Sequence, residues 1–290
     1  MKKTLTLLCL AMLLSLGACH QSTPVAEVSS FQFTDDYGRT VDIPSNPQRI
    51  VSLSPGVTEI LYALGAQDHL VGRTDFCSYP AECQSIESIG GISNLNIEKV
   101  VSLKPDLVIG GSLIPQAAVE QLQQLGIAVA LVTEQQQFEG LFTSIAKIGL
   151  LCGRSDRADS LNEALHKLLP SVDSAEVHPT VYYVAGFGAS GNYTAGGNTF
   201  INDIIALAGG SNIAADMEGW SYSLEALMAK DPDYVVIRRE DSARFVTAKP
   251  YCQLKAVKEG KVVAIESGTI DVQVPRNVEA IQYLASRFAR

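Results

Sequence analysis

From residue 49 onward, short β-branched runs alternate with stretches whose apolar positions recur at helical spacing. Residues 49–53, 69–72, 107–109 and 127–132 read as buried strands, and residues 58–64, 97–103 and 119–125 as helices, the last closed by Gly126. That alternation predicts a parallel α/β architecture. Helical spacing then runs over 138–150 and again over 155–169, where Pro170 ends it. Beyond this the alternation restarts, with strands at 181–184 and 234–237, a helix at 200–207 closed by Gly209 and Gly210, and another helix at 224–228. The expected organisation is an N-terminal α/β lobe over 31–136, a helical linker region over 137–170 and a C-terminal α/β lobe over 171–290.

The two lobes echo each other. Asn96-Ile97-Glu98 stands ahead of Lys104-Pro105-Asp106 and a buried run, and Ser223-Leu224-Glu225 stands ahead of Asp231-Pro232-Asp233 and another. In both, the glutamate precedes the proline by seven residues and follows a capping residue by two. The spacing has a mechanical reading. Asn96 and Ser223 cap helices, each glutamate falls in the first turn where negative charge suits the helix dipole, and Pro-Asp stops the helix before a strand. Residues 59–65 (EILYALG) and 203–209 (DIIALAG) form a second matched pair. Together they predict a duplicated lobe.

The N-terminus changes the picture of where the chain works. Met1-Lys2-Lys3 is a positive leader, residues 5–16 are apolar and too short to span a bilayer as a helix, and small residues precede Cys19. Leu16-Gly17-Ala18-Cys19 resembles a bacterial lipobox, which implies that residues 1–18 are a lipoprotein signal peptide and Cys19 the acylated first residue. Residues 19–30 are polar, lack apolar periodicity and read as a flexible tether. The expected location is the cell envelope, outside the cytoplasm and anchored to a membrane by lipid.

Composition excludes other classes. The 290 residues are 47% hydrophobic and 18% charged, which rules out disorder, and 22 basic against 31 acidic residues give a net charge of −9. Nucleic acid and anionic membrane surfaces are therefore poor partners. Enzyme signatures are missing: there is no Gly-x-Ser-x-Gly elbow, dinucleotide fingerprint, phosphate loop or His-Glu-x-x-His. Outside the leader and Cys19 the cysteines are Cys77, Cys83, Cys152 and Cys252, an even number that permits disulfides. Cys77 and Cys83 could close a small loop, but three pairings are formally open. His69, His166 and His178 are scattered, so no resident metal site or cofactor is expected. The glycine-rich run 186–197 (GFGASGNYTAGG) reads either as a loop lining a site or as a surface connection.

A resemblance then gathers these features. Residues 33–44 (FTDDYGRTVDIP), 47–55 (PQRIVSLSP), 58–65 (TEILYALG), 71–74 (VGRT), Tyr79-Pro80, 103–109 (LKPDLVI) and 256–262 (AVKEGKV) resemble the substrate-binding proteins of cobalamin and iron-chelate ABC importers, and most closely the vitamin B12 receptors. The resemblance implies two Rossmann-like lobes joined by a single long rigid linker helix, with the ligand in the cleft between them. It also implies a receptor without catalysis, working with a permease dimer and its ATPase subunits, and docking through Glu98 and Glu225. The expected ligand is a cobalt corrinoid, with a ferric siderophore or haem as alternatives, and a monomer is the expected state. A secreted chelate-modifying enzyme using His69 or Cys77 is the competing reading.

Large planar chelates call for aromatic faces and a few polar or cationic groups. The candidates are Phe76 and Tyr79 in the loop after the strand at 69–72, Phe187 and Tyr193 in the glycine-rich run, and Trp220, the only tryptophan. Arg73 and Arg276 are candidate anchors for anionic groups. Where the B12 receptors carry a cleft tryptophan ahead of the first docking glutamate, this chain reads Ile89-Gly90-Gly91-Ile92.

Overall fold

A computed structural model of the chain describes residues 29–171, 178–189 and 191–289. The leader, Cys19 and nearly all of the tether lie outside these residues. Among the described residues no helix is long and apolar enough to cross a membrane.

The N-terminal lobe is a parallel sheet of β3 (Ile50–Ser52), β4 (Leu70–Arg73), β5 (Leu107–Gly110) and β6 (Val129–Leu131), ordered β4-β3-β5-β6. Its helices are α1 (Pro55–Ala63), α2 (Ile97–Ser102) and α3 (Gln116–Gln124). The C-terminal lobe repeats the plan with β7 (Thr180–Val184), β8 (Ser211–Asn212), β9 (Tyr234–Arg238) and β10 (Val262–Ile265), all parallel and ordered β8-β7-β9-β10. Its helices are α6 (Phe200–Leu207), α7 (Leu224–Lys230), α8 (Arg239–Thr247), α9 (Lys255–Lys258) and α10 (Asn277–Phe288). Relative to chain order, both sheets therefore have the same arrangement, second-first-third-fourth. The duplication read from the two glutamate motifs is one of whole lobes.

Alternation along the strands explains why each sheet is sandwiched. Leu107 and Ile109 of β5 and Tyr234 and Val236 of β9 join one core that runs through both lobes and the linker. Val108 packs into an outer N-terminal core, and Val235 and Ile237 into an outer C-terminal core. A strand apolar at every position is what a sheet covered on both faces requires.

The linker departs from the expected single helix. It is a hairpin of α4 (Gly140–Leu151) and α5 (Ser155–Leu168), broken at Gly153, which adopts a left-handed φ of +67°. Asn162 Nδ2 donates to the Phe142 carbonyl at 3.0 Å, and His166 stacks on the Phe142 ring at 3.7 Å, so the two helices run antiparallel. The apolar stretches at 138–150 and 155–169 fall on the two helices, and the left-handed Gly153 between them ends the first, as a C-terminal glycine does. Within the hairpin α4 packs on α1 and α5 on α10, so each helix serves one lobe.

A second departure is the antiparallel pair β1 (Ser30–Thr34) and β2 (Thr40–Pro44), which sequence patterning did not mark. Its turn covers the outer edge of β6: Asp36 N donates to the Leu131 carbonyl, and Leu131 N to Asp35 Oδ2. This protects an edge strand that would otherwise be open to pairing.

Candidate ligand cleft

In a parallel sheet of this order, neighbouring connections leave on opposite faces at the carboxyl ends of the first and third strands, opening a crevice there. Here those strands are β3 and β5. A cavity of about 360 Å³ lies at that point, lined by Leu53, Ser54 and Pro55 after β3, Gly111 to Ile114 after β5, Glu134 after β6, and Phe76, Ile92 and Ser93 from the loop after β4. Asp271 and Val272, from the segment after β10, close it from the other lobe. The carboxyl edges of the two sheets therefore face each other across the cleft. A larger but more open depression of about 580 Å³ beside the starts of α4 and α6 carries no exposed aromatic ring, so the cleft cavity is the stronger site.

Phe76 is 62% exposed on the cavity wall, where an apolar ring is held in place without a packing partner that would bury it. Its loop is fastened from below by Arg73, whose guanidinium donates to the carbonyls of Thr74 and Cys83 at 2.9 Å and of Gln84 at 3.1 Å. Arg73 is thus a clamp on the aromatic loop, not the expected anion anchor. Gly90 sits at φ +92°, and a Cβ at Gly91 would lie 2.3 Å from Asn94 Oδ1. A side chain at Gly91 would displace the exposed Asn94 side chain, and the left-handed backbone at Gly90 favours glycine there.

Arg276 is likewise engaged. Its Nε and Nη2 donate to Oε2 and Oε1 of Glu59 at 2.8 and 2.7 Å, joining the segment before α10 to α1 across the lobes. The guanidinium carbon lies 3.8 Å from the centre of the half-exposed Tyr79 ring. Burial pushes the Glu59 carboxyl above the usual range, and the hydrogen bonds and charge of Arg276 pull it back only in part. Desolvation also pushes up Glu134, against a hydrogen bond with Ser112.

In the C-terminal lobe the glycine-rich run is stitched to the segment that carries Trp220. Gly197 N donates to the Met217 carbonyl at 2.9 Å, Gly196 N to Gly219 at 3.1 Å, Thr194 N to Trp220 at 2.8 Å, and Tyr222 N to Asn192 at 3.0 Å. Glycine is required because a Cβ at Gly197 would stand 2.1 Å from the Ala215 carbonyl oxygen. This backbone zipper holds Tyr193 and Trp220, the latter 46% exposed, at the carboxyl edge of their sheet. Phe187 does not join them. It is 7% exposed, packs edge-on against Phe245 and Tyr251, and carries the Arg244 guanidinium over its ring, so it belongs to the lobe's outer core.

Glu98 and Glu225 are both exposed at the second position of their helices, α2 and α7. Asn96 Oδ1 accepts from Lys99 N at 2.9 Å and Ser223 Oγ from Ala226 N at 3.2 Å, as the capping reading required. Both helices descend from the cleft-side ends of their lobes. The preceding residues of β5 and β9 are set by two matched left-handed caps, Lys104 at φ +47° and Asp231 at φ +40°, each followed by Pro-Asp.

Cys77 and Cys83 are free buried thiols, so the loop they flank is not closed by a disulfide; Cys83 Sγ donates to the Cys77 carbonyl at 3.3 Å. Cys77 Sγ is itself covered by the hydroxyls of Thr58 and Thr74. His69 Nδ1 lies 2.7 Å from the Pro47 carbonyl, at the amino edge of the sheet and away from the cleft. Both groups of the enzyme reading are thus engaged by protein partners. Among the described residues no cluster of His, Cys, Asp or Glu could hold a metal ion. Ser54, Ser93, Ser112, Leu113, Glu134 and Asp271 were missed from sequence, although the rule that sites follow the first and third strands points to 53–55 and 110–112 once strand order is known.

With this geometry in place, comparison with known proteins is informative. A family profile described as periplasmic binding protein matches residues 50–269. The chain is 33% identical over 270 residues to an ABC transporter substrate-binding lipoprotein of Bacillus subtilis (strain 168), covering 89% of this chain and 85% of that protein. It is 33% identical over 274 residues to a cobalamin-binding protein of Halobacterium salinarum, covering 88% and 73%. The fold superposes on a periplasmic haem-binding protein from Pseudomonas aeruginosa with a TM-score of 0.73 at 26% identity, covering 83% of this chain and 92% of that one.

Proposed function

The chain belongs to the periplasmic binding protein family, and from that premise we propose that it captures a cobalamin or related corrinoid and hands it to the permease of an ABC importer. The family consists of extracytoplasmic substrate-binding transport proteins, and this chain is the ABC importer's substrate-binding component. The observation that carries the corrinoid reading is the chemistry of the cleft. Both candidate arginines are committed to protein partners, while the cavity presents Ser54, Ser93, Ser112, Glu134 and Asp271 beside Phe76. Hydroxyls and carboxyls suit the uncharged amide arms of a corrinoid, whereas haem propionates or an acidic siderophore would face like charge. The cobalamin-binding relative supports the same ligand class.

Haem is the second reading, favoured by the haem-binding structural relative and by the half-exposed phenols of Tyr79 and Tyr193. In either case the metal arrives as cargo within the chelate, and the receptor supplies surface, polarity and shape rather than bond-making chemistry. Two interlobe ties limit how far the cleft opens, Glu59 with Arg276 and Gln135 N with Gln273 Oε1 at 3.0 Å, and a third bond, Phe138 N to Asp203 Oδ2 at 2.9 Å, fixes the linker to the second lobe. Modest closure on binding follows from a joint that is bonded at several points. Glu98 and Glu225 then present paired acidic groups to a two-fold permease, and acylation of Cys19 keeps the receptor at the membrane.

The test is a parallel titration with cyanocobalamin, haemin and ferric siderophores, following visible absorption and Trp220 emission. Saturable quenching by cyanocobalamin is the expected result. Saturation by haemin or a siderophore alone overturns the corrinoid assignment, and saturation by none overturns the cleft as a chelate site.

A further inference from the structure

Tyr79 stands half-exposed on the loop that Arg73 clamps, and its ring has a support of its own. The Arg276 guanidinium lies against the ring face at 3.8 Å and is itself pinned by both Glu59 oxygens. Arg276 Nη1 also donates to Thr269 Oγ1 at 3.3 Å, in the segment leading to Asp271 on the cavity wall. The side chains of Arg276 and Glu59 are only 14% and 6% exposed, so the fork cannot swing into solvent. A planar cation held in plane this way is a platform for an aromatic ring, a role that a flexible ammonium cannot fill.

We infer that Arg276 is a positioning residue for ligand capture: locked by Glu59 across the lobes, it seats Tyr79 so that ring orientation and lobe pairing behave as one unit. This rests on the reading that Tyr79 meets the chelate. One face of the ring is spent on the guanidinium, and the remaining exposed surface is held in a preset orientation, which lowers the ordering cost of binding. The contact crosses the lobes, since Tyr79 and Glu59 belong to the first and Arg276 to the second. A change in the angle between lobes therefore tilts the ring, and an occupied ring resists reopening.

The experiment is a double-mutant cycle read by affinity for cyanocobalamin, or for haemin if that is the probe that saturates the cleft. Tyr79→Ala should weaken binding about tenfold, and Arg276→Lys, which keeps the charge but lacks the planar face, about three- to tenfold. In the Tyr79→Ala background, Arg276→Lys should have no further effect. Wild-type affinity in Arg276→Lys, or losses that multiply in the double variant, overturns the proposal. Wild-type affinity in Tyr79→Ala also overturns it, and identifies the fault as the placement of Tyr79 against ligand. Glu59→Gln is a milder companion that keeps the hydrogen-bonding shape, and its loss should likewise vanish without Tyr79. In the ligand-free protein, the Tyr79 ring signal of ¹³C-tyrosine-labelled material should shift in Arg276→Lys; an unmoved signal tells against the platform.

Discussion

Glu59 and Asp203 hold the same place in the two lobes, and each reaches to a segment beyond its own helix. Glu59 on α1 grips Arg276 ahead of α10, and Asp203 on α6 accepts from Phe138 N ahead of α4 at 2.9 Å. They are the acidic first residues of the matched EILYALG and DIIALAG segments, each closed by a glycine with positive φ, Gly65 and Gly209. The duplicated acid thus serves as a joint in both lobes, Glu59 to the other lobe and Asp203 to the linker. Phe138 is buried, so Asp203→Ala leaves its N–H unpaired and should cost about 1–3 kcal/mol. A urea midpoint equal to that of the parent would refute this.

Asp106 and Asp233 are the second matched pair, and one of them predicts a pH dependence. Asp106 accepts from Gln48 N and Arg49 N ahead of β3, as Asp233 accepts from Thr180 N and Thr180 Oγ1 at the start of β7. Hydrogen bonding from Lys255, then from Thr180, holds the Asp233 carboxyl down at about 2. Because the folded value lies below the unfolded one, this stability is complete above about pH 4 and is lost as pH falls toward 2. Asp233→Asn should cost about 1–2 kcal/mol at neutral pH, allowing for solvent screening, and flatten the acid limb of the stability curve. Parallel acid limbs for parent and variant would count against the assignment.

Thiol reactivity offers a check on the loop that carries Phe76 and Tyr79. Cys252 is partly exposed, Cys77 and Cys83 are buried, and burial pushes the Cys152 thiol up to about 11. Iodoacetamide at pH 8 should therefore label Cys252 first and Cys152 last in native protein, with all four labelled after unfolding without reductant. A Cys77 and Cys83 pair labelled only after reduction would mean that the loop is covalently closed.

Gly197 is the keystone of the zipper beneath Trp220. Gly197→Ala drives a methyl group into the Ala215 carbonyl, which cannot move without breaking the bonds of the paired segment. The expected cost is about 1–3 kcal/mol together with a shift in Trp220 emission. An unshifted emission maximum would place the indole's environment outside the control of this loop.

Glu98 and Glu225 should matter for delivery alone. The double Ala variant is expected to lower uptake into cells at least about tenfold while leaving the affinity of the isolated receptor within about twofold, because both groups are exposed and sit at helix starts. Undiminished uptake would remove them from the docking surface.

What was legible in the chain was local and periodic. Strand and helix alternation, helix caps at Asn96 and Ser223, stops at Lys104-Pro105 and Asp231-Pro232, and the repeat of these signals follow from backbone rules that act over a few residues. The two apolar stretches of the linker were legible, but its break at Gly153 was not, since one continuous helix was expected. The β1–β2 pair escaped because a short two-stranded ribbon has too few alternating positions to stand out, and its value lies in covering β6. The site divided in the same way. Exposure of Trp220 was legible from its flanking residues, whereas for the other loop aromatics and for the charges the outcome was not. Arg73 clamps its own loop, Arg276 meets Glu59 from 217 positions away, and Phe187 turns into the core. A guanidinium takes whichever carbonyl or carboxylate the fold brings within 3 Å, and only the tertiary arrangement decides which that is.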